Sequence, residues 1–133
     1  PLSAGQGRLC RPAQASERAQ DRQVKKFAIV VDADAEHDLE EIAVYIAEHD
    51  SIERAIHVTT KIEQTLATLA AFPNRGAHPK ELIDYGNRDF REVSFKPYRI
   101  LYRVLPKEIV NVVLIADGRR DMRTLLARRL LGA

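Results

Sequence analysis

The stretch from Arg91 to Ala116 has the sequence REVSFKPYRILYRVLPKEIVNVVLIA, and it predicts a meander of three strands. Apolar and polar side chains alternate at its start, which is typical of a half-buried strand. The last third is nearly all apolar, so this strand is expected at the centre of the sheet. The strands are expected at residues 91–95, 98–105 and 109–116, separated by turns at Lys96-Pro97 and Pro106-Lys107-Glu108.

Two amphipathic helices are predicted upstream of the meander. Apolar residues recur at spacings of three and four from Ala35 to Ile46, and again from Ala55 to Leu69, which is typical of helices with one buried face. Because the break between them is short, the two helices are expected to form an antiparallel hairpin. The predicted N-caps are Asp32 or Asp34 for the first helix and Asp50 or Ser51 for the second.

The remaining elements complete an α+β domain. Phe27–Val31 is a short apolar run, which predicts a strand buried on both sides. Residues 78–88 are polar and are expected to form a loop. A C-terminal helix is predicted from Asp121 to Leu131, with Asp121 as its cap. We therefore expect an N-terminal strand and a helical hairpin packed on a small, mainly antiparallel sheet, followed by one more helix.

The bulk composition indicates a soluble protein of one domain. The chain has 133 residues, of which 45% are hydrophobic and 30% charged, as in ordinary globular proteins. Residues 1–23 lack apolar periodicity, so we expect a flexible extension there and one folded domain over residues 24–133. No apolar run approaches the roughly 18 residues of a membrane span. A single cysteine, Cys10, excludes an internal disulfide and favours a cytoplasmic protein.

Charge is distributed unevenly along the chain. Residues 24–72 contain four basic and ten acidic residues, a net charge of −6, whereas residues 73–133 contain thirteen basic and seven acidic residues, a net charge of +6. A basic surface of this kind suits a polyanion or an acidic protein segment. The alternative is two solvated surfaces that segregate without a partner.

Four segments carry a family resemblance in their order along the chain. They are DLEEIAVYIAEHDSIERA from Asp38, LAAFPNRG from Leu69, FREVSFKPYRILYRV from Phe90 and VVLIADGRRD from Val112. Together they resemble the RelE/ParE family of toxins from type II toxin-antitoxin systems, over residues 27–131.

The resemblance implies both a fold and a set of partners. It implies a compact sheet with an N-terminal helical hairpin, and a small antitoxin that wraps around the toxin and neutralises it. ParE-like members poison DNA gyrase, whereas RelE-like members cleave messenger RNA on the ribosome. Operator DNA would be reached only through the antitoxin, and neither a membrane nor a cofactor is implied.

Ribonuclease chemistry requires a base for the 2′-hydroxyl, a cation for the phosphate and an acid for the leaving oxygen. The cations of such a site would be Arg91, Arg99, Arg119 and Arg120. Arginine is a poor base, and strand alternation places Tyr98 and Tyr102 on the face opposite Arg99. The resemblance places the catalytic tyrosine of RelE-like members near Leu125 or Leu126, and no His or Tyr follows Tyr102.

The missing base favours a ParE-like gyrase inhibitor over a RelE-like mRNA endoribonuclease. A non-toxic module that binds an antitoxin or represses an operon is the third possibility, so the sequence leaves open whether the chain is an enzyme. The expected partner-binding residues are Arg91, Arg99, Arg103, Arg119, Arg120 and Arg123. Alternatively, Arg99 and Arg103 pair across the sheet with Glu92 and Glu108. The four histidines lack ligand spacing, so no metal is expected.

Overall fold

The computed structural model describes residues 26–130; the expected extension at 1–23 and residue 131 of the last predicted helix lie outside this range. No helix among the described residues is both long and apolar enough to cross a membrane. The elements are, in order, β1 (Ala28–Val31), α1 (Ala33–His49), α2 (Ile52–Ala71), α3 (Lys80–Ile83), β2 (Arg91–Phe95), β3 (Tyr98–Leu105), β4 (Ile109–Asp117) and α4 (Met122–Leu130). The predicted α+β class is confirmed.

The four strands form one mixed sheet in the order β1-β4-β3-β2. β4 pairs in parallel with β1 and antiparallel with β3, so the prediction that it is central is confirmed. The prediction that the first strand is buried on both sides is wrong. β1 is an edge strand in which Ala28 and Val30 are exposed, because helices cover only one of its faces.

The helical hairpin forms as predicted, and Ser51 caps its second helix. The Ser51 hydroxyl accepts a hydrogen bond from the backbone N–H of Arg54 at 3.0 Å, which satisfies one of the free donors at the start of α2. Asp32 precedes α1, but its side chain makes no cap hydrogen bond. Its carboxylate accepts instead from the side-chain amide of Asn111 at 2.8 Å, so this residue ties α1 to β4.

Two apolar cores lie on opposite faces of the sheet. The first lies under α1 and α2 and includes Ile62, Leu69, Ile100 and Val110. The second lies under α3 and α4 and includes Leu82, Leu101, Leu114 and Leu126. β3 and β4 contribute to both cores, so the molecule has three layers with the sheet in the middle.

Two local features were not predicted. The polar loop at 78–88 contains the helical turn α3, which buries Glu81 and Leu82. β4 also contains one extra residue, since Leu101 is opposite Leu114 while Tyr102 is opposite Val112. In β4, residues whose backbone groups face β3 alternate with residues whose groups face away. The bulge at Val113 shifts this alternation by one residue.

Candidate partner-binding surface

Arg91, at the start of β2, fixes the loop that follows α2. Its guanidinium donates to the backbone oxygens of Gly76 at 2.7 Å and Asn74 at 3.3 Å. The buried Tyr102 hydroxyl donates to the Pro73 oxygen at 2.7 Å and accepts from the Gly76 N–H at 3.0 Å. Burial raises the pKa of Tyr102, so its hydroxyl keeps its proton as a donor. Arg91 and Tyr102 therefore act as structural residues of this loop.

The same loop explains the glycine of the LAAFPNRG segment. A Cβ atom on Gly76 would lie 2.6 Å from the Glu92 backbone oxygen and 2.7 Å from the Tyr102 hydroxyl oxygen. Both distances are shorter than any ordinary contact, so position 76 requires the absence of a side chain. The chain passes so close to β2 and β3 that only glycine fits.

Arg99, on β3, is held between two carboxylates. Its two terminal nitrogens donate to the two oxygens of Glu81 at 2.9 Å each. Its Nε donates to Glu92 at 2.7 Å, which confirms the predicted pair across the sheet. The hydrogen bonds from Arg99 lower the pKa of Glu81 from 4.5 to about 2, and the bonds to Glu81 raise the pKa of Arg99.

This cluster has one cation and two anions, so its net charge is −1 when all three groups are ionised. An incoming phosphate would have to displace a bidentate carboxylate from Arg99 and would then lie beside two carboxylates. Gly118 also packs over the stem of Arg99, since a Cβ atom there would lie 2.8 Å from the Arg99 Cδ. The expected side of Tyr98 and Tyr102 is confirmed, because both pack in the core on the opposite face.

The other four predicted arginines differ in how far they are already paired. Arg103 donates to Asn111 at 3.0 Å and lies 5.8 Å from the ring centre of Phe90. Arg119 pairs with Asp117 at 2.6 Å and lowers the pKa of that carboxyl. Arg123 pairs with Asp84 at 3.4 Å. Within residues 26–130, the exposed side chain of Arg120 has neither a hydrogen bond nor an ion pair.

A groove of about 410 Å³ lies between α1 and the end of β4 and brings two of these arginines together with aromatic side chains. We call it the α1–β4 groove. Tyr45 is 63% exposed at its rim, and burial raises the pKa of Tyr98 on its floor. The residues that line it are Asp38, Glu41, Ile42, Tyr45, Ile46, Tyr98, Ile115, Ala116, Asp117, Arg119 and Arg120.

No group of three or more potential metal ligands exists among the described residues. The imidazole of His49 stacks on Tyr45 at 4.1 Å between ring centres. His49 lines a second opening beside the α1–β4 groove, together with Arg54, Lys96, Tyr98 and Arg119. His49, at the tip of the hairpin, therefore places an imidazole beside Arg54 and Arg119.

The sequence of residues 29–122 matches the family model described as "ParE toxin of type II toxin-antitoxin system, parDE". The chain belongs to this family. Its fold is similar to the solved structure "Chromosomal ParDE TA system from P. aeruginosa", with 17% identity, a TM-score of 0.58, and coverage of 70% of this chain and 97% of that chain.

A second solved structure, the toxin-antitoxin complex RelBE2 from Mycobacterium tuberculosis, has 17% identity and a TM-score of 0.48, with coverage of 69% of this chain and 98% of that chain. No curated protein sequence matches the chain. The membership in the ParE toxin family therefore rests on the family model, and the P. aeruginosa structure supports the shared fold.

Sequence reasoning missed a buried ion pair in this ParE-family chain. Asp38 on α1 and Arg129 on α4 form two hydrogen bonds of 3.0 Å, and the Asp38 carboxylate raises the pKa of Arg129. A signal existed, because Asp38 and Arg129 occupy core-facing positions on their helices, in line with Ile42 and Leu125. Charged residues at such positions indicate partners across the core.

Proposed function

We propose that this ParE-family chain acts as a toxin that inhibits DNA gyrase in the cytoplasm, and that a cognate antitoxin neutralises it. The observation that carries the proposal is the state of Arg99. Two carboxylates bind its guanidinium, and the neighbouring tyrosines lie on the other face of the sheet. Arg99 is therefore not free to hold a phosphate, and neither tyrosine lies beside it to act as the base, which disfavours nuclease chemistry there.

The test combines growth, biochemistry and rescue. Expression of the chain is expected to arrest growth with a DNA-damage response, and the purified chain is expected to inhibit supercoiling by gyrase. Co-expression of a small protein encoded beside it is expected to restore growth, as in a plasmid-stabilisation system. Arrest without any effect on gyrase, in cells or with purified enzyme, would refute the gyrase assignment.

RelE-like cleavage of ribosome-bound mRNA remains the second candidate because of one observation. His49 and Tyr98 line the same opening as Arg54, Lys96 and Arg119, so a base and cations do meet at the hairpin tip. A ribonuclease there would use the imidazole as the base and the arginines on the phosphate.

His49→Ala separates these two candidates without disturbing the fold. His49 is exposed, and its hydrogen bond and ring stacking both involve Tyr45 on its own helix, so its removal is expected to cost less than about 0.5 kcal/mol of stability. We expect the variant to keep full gyrase inhibition and toxicity. Loss of toxicity together with loss of cuts in ribosome-bound message, mapped by primer extension, would favour the ribonuclease. Harmless overexpression of the unaltered chain would favour a non-toxic binding module.

A further inference from the structure

The outer edge of β4 is left uncovered where β1 ends. β1 pairs with β4 only as far as Val112, and the bulge at Val113 follows directly. Past the bulge, alternate residues direct their backbone groups away from β3. These residues are Val113, Ile115 and Asp117, which form a short stretch of open sheet edge.

Side chains occupy the first part of this edge. The Val113 oxygen accepts from Arg129 at 3.1 Å, and the Ile115 N–H donates to Asp38 at 3.1 Å. The Asp38–Arg129 pair therefore stands where the backbone of a neighbouring strand would lie. It satisfies the edge and stops strand pairing at these positions.

Two backbone groups remain beyond this pair. The Asp117 oxygen accepts from the Arg120 N–H at 3.1 Å, which leaves the Ile115 carbonyl and the Asp117 N–H facing the α1–β4 groove. The Gly118 N–H donates to the Pro97 oxygen just before β3, so residues 115 and 117 face away from β3, and none of the hydrogen bonds found outside the strand ladders among residues 26–130 uses either group. In a parallel pair of strands, one residue makes both of its backbone hydrogen bonds to the neighbours of the residue opposite to it. Its N–H donates to the carbonyl of the preceding neighbour, and its carbonyl accepts from the N–H of the following neighbour. The two free groups therefore match one residue of a parallel strand, opposite Ala116.

The walls and charges of the groove define the side chains of such a strand. The residues on either side of the paired one would point toward Tyr45 and Tyr98, which favours apolar side chains. The carboxylates that line the groove already have partners: Asp38 binds Arg129, Asp117 binds Arg119, and Glu41 lies 3.1 Å from His37. Among residues 26–130, the Arg120 side chain has no ion-pair partner, and it lies at the end of the groove toward which a parallel strand would run.

We propose that the α1–β4 groove binds one extended segment of the antitoxin by parallel strand addition to residues 115–117. The segment has apolar residues on both sides of the residue opposite Ala116, and an acidic residue follows and pairs with Arg120. The proposal rests on the proposed neutralisation by an antitoxin for the identity of the partner, and on the open edge for the geometry.

A peptide of this chemistry tests the geometry on the purified chain. The probe is acetyl-Ser-Ile-Ala-Val-Glu-Glu-amide, titrated by NMR, and its alanine is expected to pair with β4. We expect the Asp117 N–H to shift downfield and to become protected from exchange. N-methylation of the alanine removes the donor to the Ile115 carbonyl and should weaken binding by about tenfold or more. N-methylation of the valine, whose N–H points away from β4, should change binding by less than about twofold.

Matched variants test the side chains. Arg120→Glu and Tyr45→Ala should each weaken binding of the peptide by about tenfold. Two control variants should leave the affinity for the peptide within about twofold. They are Arg128→Glu, at an exposed position of α4, and Ile52→Ala, at a hairpin-tip position that is 65% exposed. Failure to bind at millimolar peptide, or binding that leaves the Asp117 N–H unmoved, would overturn the proposal.

A growth assay distinguishes failure of the docking site from failure of the proposed function. The antitoxin should rescue cells that express the unaltered chain or Arg128→Glu, and it should fail to rescue cells that express Arg120→Glu. Equal rescue of all three would overturn the docking site and leave the toxin assignment intact. Absence of toxicity in the unaltered chain would overturn the proposed function, and the peptide titration would still decide the docking site.

Discussion

Single residues decide how much of the basic character of this chain is available to a partner. Arg91 and Arg99 were both expected as partner-binding residues, and both donate hydrogen bonds to groups within the fold. The pairing of Arg99 with Glu92 follows from strand register, so the sequence could indicate it. The pairing with Glu81 could not be predicted, because Glu81 lies in a segment whose path over β3 depends on tertiary packing.

Glu81→Gln is expected to destabilise the fold in a pH-dependent way. The pKa of Glu81 is about 2 in the folded chain, below its ordinary value of 4.5, so its contribution is complete above about pH 5. That contribution is lost as the pH falls toward 2, because protonation removes the attraction to Arg99. At pH 7 the variant should lose about 1–3 kcal/mol of unfolding free energy, and the difference should approach zero near pH 2. Urea denaturation of both proteins across this range measures it.

Glu63→Gln serves as the control for that measurement, because Glu63 is an exposed glutamate on α2. Its unfolding free energy should stay within about 0.5 kcal/mol of the unaltered chain at pH 7. A Glu81→Gln deficit of the same size at pH 3 and pH 7 would contradict the role of the ion pair.

At the scale of elements, the end of one strand and the last helix depend on each other. β1 stops at Val31, the bulge at Val113 turns the backbone of β4, and Asp38 with Arg129 covers the edge that results. The sequence predicted each of these elements within a few residues. It did not predict the bulge, because one extra residue in a nearly all-apolar strand leaves no break in the pattern.

Arg129→Met is expected to destabilise the chain by about 2–4 kcal/mol, because it leaves the buried Asp38 carboxylate without its cation. The Ile115 N–H should also exchange faster with solvent, since its acceptor is no longer held in place. Urea denaturation and hydrogen exchange measure the two effects. Asp38→Asn combined with Arg129→Met should cost less than the sum of the single changes.

Arg128→Met provides the comparison, since Arg128 is the exposed neighbour on the same helix. It should change stability by less than about 0.5 kcal/mol. Equal losses for the two arginines would mean that helix propensity, rather than the ion pair, sets the stability of α4.

At the scale of the whole molecule, the sheet couples two cores that lie on opposite sides. Ile62 belongs to the core under the hairpin and Leu126 to the core under α4, and both are almost fully buried. β3 and β4 supply side chains to both cores. Loss of either core therefore removes one wall of the same sheet, and the described domain should unfold as one unit.

Ile62→Ala and Leu126→Ala are each expected to cost about 2–4 kcal/mol. Both variants should retain a single unfolding transition, with the same midpoint by fluorescence of the tyrosines and by circular dichroism. A second transition in either variant would show that the two cores unfold separately.

The sequence by itself determined the order and type of the main elements, the hairpin, the central place of β4 and the family. These follow from hydrophobic periodicity, caps and turns, which act between residues close together in the chain. The tertiary structure alone decided that Arg99 is held by two carboxylates, that Asp38 and Arg129 close one part of a sheet edge, and that a groove opens beside Arg120. Those arrangements join residues up to 91 positions apart, and their geometry depends on packing distances that no local pattern specifies.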